Sequence, residues 1–186
     1  MIFTPTKIAG AYLVEMERIR DERGFFARAW AVEEFEEMGL ETVYPAVNYS
    51  SSFQKGTIRG LHYQKAPYAE AKFVRCVRGA LFDVIVDLRP DSPTFQQWEG
   101  FEIRASEYQA LYVPAGCAHG IQTIEDDTEM LYMVSACHRP GAEGGIRWDD
   151  PFFGIQWPDC GERIISEKDQ RWPDYEAVAG LIHPRS

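Results

Sequence analysis

The chain has 186 residues, of which 45% are hydrophobic and 13% aromatic, a composition typical of a globular protein and not of a disordered segment. Its formal net charge of −10 argues against nucleic acid or an anionic membrane as a partner. No apolar run approaches the roughly 20 residues of a membrane span, and the first residues, MIFTPTKIAGAY, lack the long apolar segment of a signal peptide, so we expect a cytoplasmic protein.

Predicted strands, rich in Val, Ile, Phe and Tyr, dominate the chain. They begin with AYLVEM, and a short helix is predicted over 31–39, ending at Gly39. Further strands follow in FVRCVRGALFDVIVDL, ALYVP and EMLYMVS, with turn signals at 89–94, 114–116, 125–128 and 139–145. A second short helix is predicted near 175–181. Many short strands with few helices predict an all-β fold, with a jelly-roll β-sandwich as the expected architecture.

The chain is predicted to form one domain over 1–186, in which 174–186 is a C-terminal tail. Its four cysteines show no CxxC spacing, so we predict that they are reduced and not bridged. They are Cys76, Cys117, Cys137 and Cys160.

Basic residues are concentrated in one stretch of this acidic chain. Between Lys55 and Phe82 there are six of them and a single acid, Glu70. The basic residues are Lys55, Arg59, Lys65, Lys72, Arg75 and Arg78. Such a stretch suits a small polyanion such as a diphosphate, and a solvated strand face would produce the same pattern.

Strand alternation gives a first indication of a site. Along RGLHYQ, residues 59–64, His62 and Gln64 share one face. Arg59 has the opposite parity to His62, and a bulge at Gly60 would bring both to one ligand.

Three residues have side chains suited to proton transfer or its support. His62 titrates near neutrality and can both take and give a proton. His119 follows a turn in PAGCAHG, at an expected barrel mouth, and Asp169 lies in ISEKD, a segment that can fold back as a lid or flank. Nothing in their spacing shows that the three meet, so pattern alone leads only to a β-sandwich with a basic polar pocket.

Several segments, in order over about residues 1–173, resemble the dTDP-4-dehydrorhamnose 3,5-epimerase family. They are GFF at 24–26, RGLHYQ at 59–64, AKFVRCVRG at 71–79, FDVIVDLRPDSPTF at 82–95, VPAGCAHG at 113–120, GGIRWDDP at 144–151 and IISEKD at 164–169. The resemblance implies a cupin-type jelly roll that forms a homodimer. It also implies epimerisation at C3 and/or C5 of a nucleotide-linked 4-keto-6-deoxy sugar through an enolate, with no metal and no cofactor.

The resemblance implies four catalytic roles. His62 matches the base that removes the proton beside the C4 ketone, and Asp169 matches the carboxylate that orients it. Tyr132 matches the acid on the opposite face of the sugar. Lys72 matches the cation beside the developing enolate oxygen.

It also implies the residues that bind the substrate. Arg23 and Arg59 match diphosphate or sugar contacts, and Phe26 and Asn48 match positions at the nucleoside end. His119 matches a pocket histidine near the sugar.

The sequence departs from the family pattern at a few positions. Arg28 stands where many members have an acid after GFF, and Ala46 where many have glutamine two residues before the asparagine. Cys137 and His138 replace a frequent aromatic pair. Because arginine accepts no hydrogen bond and alanine offers none, these changes predict a weakened preference for dTDP.

Two other functions remain open. A metal-dependent cupin oxygenase or isomerase would hold its metal through an HxH pair, whereas LHYQ supplies one histidine. A sugar-binding cupin without catalysis would keep the pocket and lose the catalytic residues.

Overall fold

The computed structural model describes residues 1–175, so the helix predicted near 175–181 lies, apart from its first residue, outside the described residues. Two sheets pack face to face. The first is antiparallel, in the order β1 (Ile2–Pro5), β2 (Tyr12–Glu15), β10 (Gln109–Val113), β7 (Lys72–Arg78), β12 (Thr128–Val134) and β5 (Ala46–Ser52). The second has the order β13 (Glu143–Gly145), β6 (Thr57–Gln64), β11 (Cys117–Thr123), β8 (Ala80–Asp87) and β9 (Trp98–Arg104).

Smaller elements flank these sheets. Strand β14 (Ile164–Ile165) lies parallel to the start of β6, and β3 (Ile19–Asp21) forms a separate hairpin with β4 (Gly24–Phe26). The helices are α1 (Val32–Glu37) and α2 (Glu167–Gln170), with 3-10 turns at Ala105–Glu107 and Pro140–Ala142. The predicted all-β, cupin-type jelly roll is confirmed.

The main core lies between the two sheets. Val74 and Leu111 of the first sheet pack with Leu81, Ile85 and Ile121 of the second, and each is at most 3% exposed. This apolar packing fills part of the sandwich, and the remaining space between the sheets is the cavity described below.

Two outer clusters cover the backs of the sheets. Phe35 of α1 packs on Phe73 and Tyr112 of the first sheet. Leu61 and Tyr63 pack in the outer cluster of the second sheet, opposite in parity to His62, as alternation along β6 predicts.

The structure corrects the sequence predictions in places. The segment 139–145, predicted as a turn, ends in the strand β13, which pairs with β6 at Gly145 and His62. The first two residues of the predicted tail contact the domain: Asp174 pairs with Arg147, and Tyr175 is 1% exposed. The predicted helix at 31–39 is confirmed, ending before Gly39, whose φ is +68°.

Each cysteine is a free thiol, as predicted. Among residues 1–175, no helix has the length and apolar character that crossing a bilayer requires.

Candidate active site

A cavity of about 540 Å³ opens between the two sheets. Its walls come from β6 and β11 of one sheet and from β7 and β12 of the other, and β14 and α2 close one side. Because strands of both sheets contribute, functional groups approach the interior from two opposite directions. The predicted residues His62, Lys72, Tyr132, Arg59, His119 and Asp169 all line this cavity.

A histidine–carboxylate pair stands on one wall. Asp169 Oδ1 lies 2.6 Å from Nε2 of His62, and Asp169 Oδ2 accepts a hydrogen bond of 3.3 Å from the Gly60 amide. The helix that carries Asp169 is capped by Ser166, whose hydroxyl accepts from the Asp169 amide at 3.1 Å. The carboxylate thus orients the imidazole and leaves its other ring nitrogen for a substrate.

The charge of Asp169 is stabilised by these contacts. Burial alone would raise the pKa of Asp169, but hydrogen bonding and attraction from His62, followed by the Gly60 amide, outweigh it and hold this pKa below its ordinary value. The pair therefore presents a carboxylate anion to the imidazole.

The irregularity predicted at Gly60 is present. His119 of β11 pairs with His62, but Ile121 pairs with Arg59, so β6 has an extra residue between them. As a result both Arg59 and His62 face the cavity. Arg59 is anchored by its Nε to Ser52 Oγ at 3.2 Å and by Nη2 to the Ser51 carbonyl at 3.1 Å.

Lys72 brings a cation into the interior from the opposite sheet. It is 7% exposed, and its Nζ lies 3.5 Å from Glu70 Oε1 and 3.5 Å from the His62 carbonyl. Burial holds the pKa of Lys72 below its ordinary value, and the negative charge of Glu70 opposes that effect.

Tyr132 also projects from the sheet opposite His62. Its strand pairs with β5 at Asn48 and with β7 at Val74. Burial, and then the charge of Glu70, raise the pKa of Tyr132 against the opposing effect of Arg59. The phenol therefore stays protonated at neutral pH and can donate a proton.

His119 lies deeper than predicted. It lies within β11 and is 7% exposed, whereas the sequence predicted a position at the barrel mouth. Its Nε2 is 2.8 Å from Oδ1 of Asp83, but the two atoms are not aligned for a hydrogen bond, and among the described residues both Asp83 oxygens have no hydrogen-bond partner.

A second cavity of about 280 Å³ adjoins the first, since His62, Lys72 and Tyr132 line both. Asn48, Ala46 and His138 lie on its walls. Two of the departures from the family pattern therefore border the predicted substrate pocket.

Arg23, Phe26 and Arg28 do not line either cavity within this chain. Arg23 pairs with Asp21 in the exposed β3–β4 hairpin, and Phe26 is 69% exposed beside Arg28, which pairs with Glu34 at 3.7 Å. Within a single copy of the chain, Arg28 and Ala46 therefore border different cavities.

The basic stretch is not one surface either. Arg59 and Lys72 enter the cavity, but Arg75 donates to the carbonyls of Tyr108 and Ala29, and Arg78 pairs with acids. Alternation along β7 places Arg75 on the opposite face to Lys72, and Arg78 follows a register irregularity in the pairing of β7 with β12.

Sequence reasoning missed several residues that shape the site. The Trp172 ring lies edge-on to His62, with ring centroids 6.3 Å apart. Gln64 donates a hydrogen bond from Nε2 to the Glu70 carboxylate. Alternation along FDVIVDL was the available signal for Asp83, because it places this acid on the inward face with Ile85.

Among residues 1–175, no group of three or more His, Cys, Asp or Glu side chains is arranged to hold a metal ion. The groups that the cavity does present are an oriented imidazole, a phenol and an ammonium. They are suited to moving protons and stabilising an oxyanion.

Known proteins resemble this chain over nearly its whole length. The sequence profile of the family described as dTDP-4-dehydrorhamnose 3,5-epimerase matches residues 5–177. A dTDP-4-dehydrorhamnose 3,5-epimerase of Sinorhizobium fredii is 40% identical over 173 residues, 93% of this chain and 89% of the relative. One from Salmonella typhimurium is 39% identical and covers 93% of this chain and 94% of its own length.

A solved structure shows the same fold. It is that of a dTDP-6-deoxy-D-glucose-3,5-epimerase from Legionella pneumophila in complex with dTDP-4-keto-L-rhamnose. It superimposes with a TM-score of 0.90 at 33% identity and covers 100% of this chain and 98% of that one.

Proposed function

This chain belongs to the dTDP-4-dehydrorhamnose 3,5-epimerase family, and we propose that it inverts C3 and/or C5 of a nucleotide-linked 4-keto-6-deoxy sugar. The substrate is of the dTDP-4-dehydro-6-deoxyglucose type, and the product is of the dTDP-4-dehydrorhamnose type. One observation carries the proposal: a carboxylate-oriented histidine on one sheet and a protonated tyrosine on the other face a common cavity that also contains a buried lysine.

In the proposed mechanism, His62 takes the proton from the carbon beside the C4 ketone, and the electrons of that C–H bond pass to the ketone oxygen as an enolate. Lys72 stabilises the negative charge on this oxygen. Preorganised electrostatic stabilisation of this kind is usually the largest single contribution to lowering the activation barrier. Tyr132 then returns a proton to the opposite face, which inverts the centre. Only protons move, so we propose that the reaction needs neither a metal nor another cofactor.

Substrate binding follows from the positions of the remaining polar groups. We assign Arg59 and His119 to the sugar and diphosphate in the main cavity, and Asn48 to the nucleoside side, beside Tyr132. The free thiols are in keeping with a reducing compartment such as the cytoplasm.

Arg23 and Phe26 line neither of the two site cavities of their own chain, and we propose that they act in a homodimer. Strand β5 is the edge of its sheet and exposes Val47 and Tyr49, while the β3–β4 hairpin exposes Phe26. Exposed apolar side chains along a sheet edge are suited to a second copy of the chain. Phe26→Asp should then produce monomers in sedimentation and lower kcat/KM, and a dimer with unchanged kinetics would contradict this assignment.

The altered residues Arg28, Ala46 and His138 lead us to propose a relaxed nucleotide preference. A lost hydrogen bond costs about 0.5–1.5 kcal/mol, which is at most roughly tenfold in affinity for each contact. The test is kcat/KM for the dTDP-, UDP-, CDP- and GDP-linked sugars. A preference for dTDP of about a thousandfold or more, ~4 kcal/mol, would refute it.

The proposed function itself is tested with dTDP-4-dehydro-6-deoxyglucose and product analysis by proton NMR. We expect conversion to the C3 and/or C5 epimer by the wild-type chain and severe loss in Asp169→Asn, because the imidazole loses its anionic partner. Absence of any epimer with the wild-type chain would overturn the proposal.

A further inference from the structure

Glu70 lies beside the catalytic residues. Neither the family resemblance nor the basic stretch of the sequence assigned it a role. It lies two residues before Lys72, the first residue of β7, and its side chain is only 13% exposed. One of its oxygens, Oε1, lies 3.5 Å from Nζ of Lys72, and the other, Oε2, accepts a hydrogen bond of 3.0 Å from Nε2 of Gln64. The carboxylate therefore joins the buried ammonium to a neutral amide.

Gln64 holds that carboxylate in place. Its side chain is buried, and Nε2 also donates to the carbonyls of Tyr68 at 3.1 Å and Cys137 at 3.4 Å, while Oε1 accepts from the Arg139 amide at 2.7 Å. Two separate loops thus fix the amide, and the amide fixes Glu70. Few conformations remain open to the carboxylate.

We propose that Glu70 is a positioning residue that keeps the buried Lys72 ammonium charged and directed at the cavity, an inference that rests on the proposed function. A buried ammonium without a counter-ion loses its proton, because burial disfavours the charged form. A neutral amine would give the enolate oxygen no positive charge. Glu70 supplies the missing charge at the shortest ion-pair distance that Lys72 has among the described residues.

Other groups around Lys72 contribute less. Asp83 of β8 and Glu143 of β13 also favour its charged form, but they act at longer range than Glu70. The other titratable groups that line the two cavities with Lys72 are Arg59, His62, Tyr63, His119, Tyr132, His138, Lys168 and Asp169.

The length of the contact suits a working cation. At 3.5 Å the pair is longer than the roughly 2.7–2.9 Å of a tight charge-assisted hydrogen bond. The ammonium can therefore turn toward a substrate oxygen without breaking a strong bond. The same carboxylate helps to keep Tyr132 protonated, since its charge raises the pKa of the phenol.

The first test measures Lys72 directly and needs no substrate. Protein labelled with ¹³C at the lysine Cε is titrated by NMR, and the Lys72 signal is assigned with Lys72→Arg. The other lysines of the chain, which give signals in the same spectrum, are Lys7, Lys55, Lys65 and Lys168. We expect Glu70→Gln to lower the pKa of Lys72, which weakens its protonation equilibrium tenfold or more. Glu70→Asp keeps the negative charge and should leave the pKa of Lys72 close to that of the wild type.

The second test is the pH dependence of kcat. In Glu70→Gln the alkaline limb, where Lys72 loses its proton, should move to lower pH by about one pH unit or more, with near-normal rates well below it. Glu102→Gln removes an exposed partner of Arg104 and serves as the matched control, with no shift expected.

The outcomes separate the two proposals. An unchanged Lys72 titration in Glu70→Gln overturns the inference, as does an equal loss of rate at every pH, which indicates a merely structural role. A shifted titration in a chain that epimerises no sugar supports the charge pairing and refutes the proposed function.

Discussion

Gly145 is the position where a single added methyl group should disable the base without touching a catalytic atom. It pairs with His62 across β13 and β6, and the Trp172 ring occupies the space where a side chain at 145 would stand. An added Cβ would overlap Cε2, Cδ2 and Nε1 of that ring, well inside the 3.0 Å below which Cβ contacts are essentially never found. Restoring 3.4 Å, an ordinary contact, requires the ring to withdraw by about 1 Å.

Trp172 follows α2, which carries Asp169, so its withdrawal should move the carboxylate away from His62. A displacement of about 1 Å in a catalytic group can cost roughly 10²-fold in rate. We therefore expect Gly145→Ala to lower solvent exchange of the protons beside the ketone by about that factor, measured by NMR in heavy water. The Gly145 backbone is not in the left-handed region, so the effect comes from the ring and not from backbone strain.

Gly141→Ala is the matched control, because a Cβ there meets no atom within 4 Å, and its rate should be unchanged. Trp172→Ala in the Gly145→Ala background should recover at least part of the lost rate relative to the single variants. Exchange by Gly145→Ala within about threefold of wild type would refute this account of how Asp169 is held.

Three further predictions concern other parts of the molecule. Tyr132→Phe should still exchange substrate protons but form little inverted product by NMR, since the tyrosine acts after the proton is removed; equal loss of both activities would contradict a separate acid. Exhaustive chelation should leave the rate unchanged, and loss of rate that one added metal restores would favour a metal-dependent cupin. Asp87 accepts hydrogen bonds from Arg89, Ser92 and Thr94, which overcome its burial and lower its pKa to about 2. Because the pKa of Asp87 is lower in the folded chain than in the unfolded one, these contacts should add about 2 kcal/mol to the free energy of unfolding above pH 4–5, and this contribution should disappear as the pH falls toward 2. Urea unfolding in which Asp87→Asn has the same pH dependence as the wild type would contradict this.

Strand alternation predicted which side chains of β6 enter the sandwich, because a two-residue period decides the face of each residue. It also required an irregularity at Gly60, which the pairing with β11 contains. Alternation is local, however. His62 and Asp169 are 107 positions apart, and no spacing rule brings them together; only the family resemblance predicted their contact.

Other features eluded the sequence for identifiable reasons. The strand β13 was predicted as a turn because Gly144 and Gly145 are turn-forming residues, whereas here their missing side chains admit the rings of Tyr63 and Trp172. The position of Arg23 also could not be predicted, because the hairpin that carries it leaves the sandwich.

The role of Glu70 depends on burial, which composition does not report. Six basic neighbours in the sequence suggested a surface that binds anions, but the fold buries Lys72 against this one acid. Charge pattern along a strand therefore predicted the presence of cations and not their individual environments.

The most direct test of the central claim is deuterium incorporation from heavy water into the 4-keto sugar by the wild-type chain, His62→Ala, Asp169→Asn and the double variant. The account predicts deuterium at C3 and/or C5 with the wild-type chain and little in each variant, with losses that do not add because the two residues act as a unit. Incorporation by His62→Ala at the wild-type rate would contradict it.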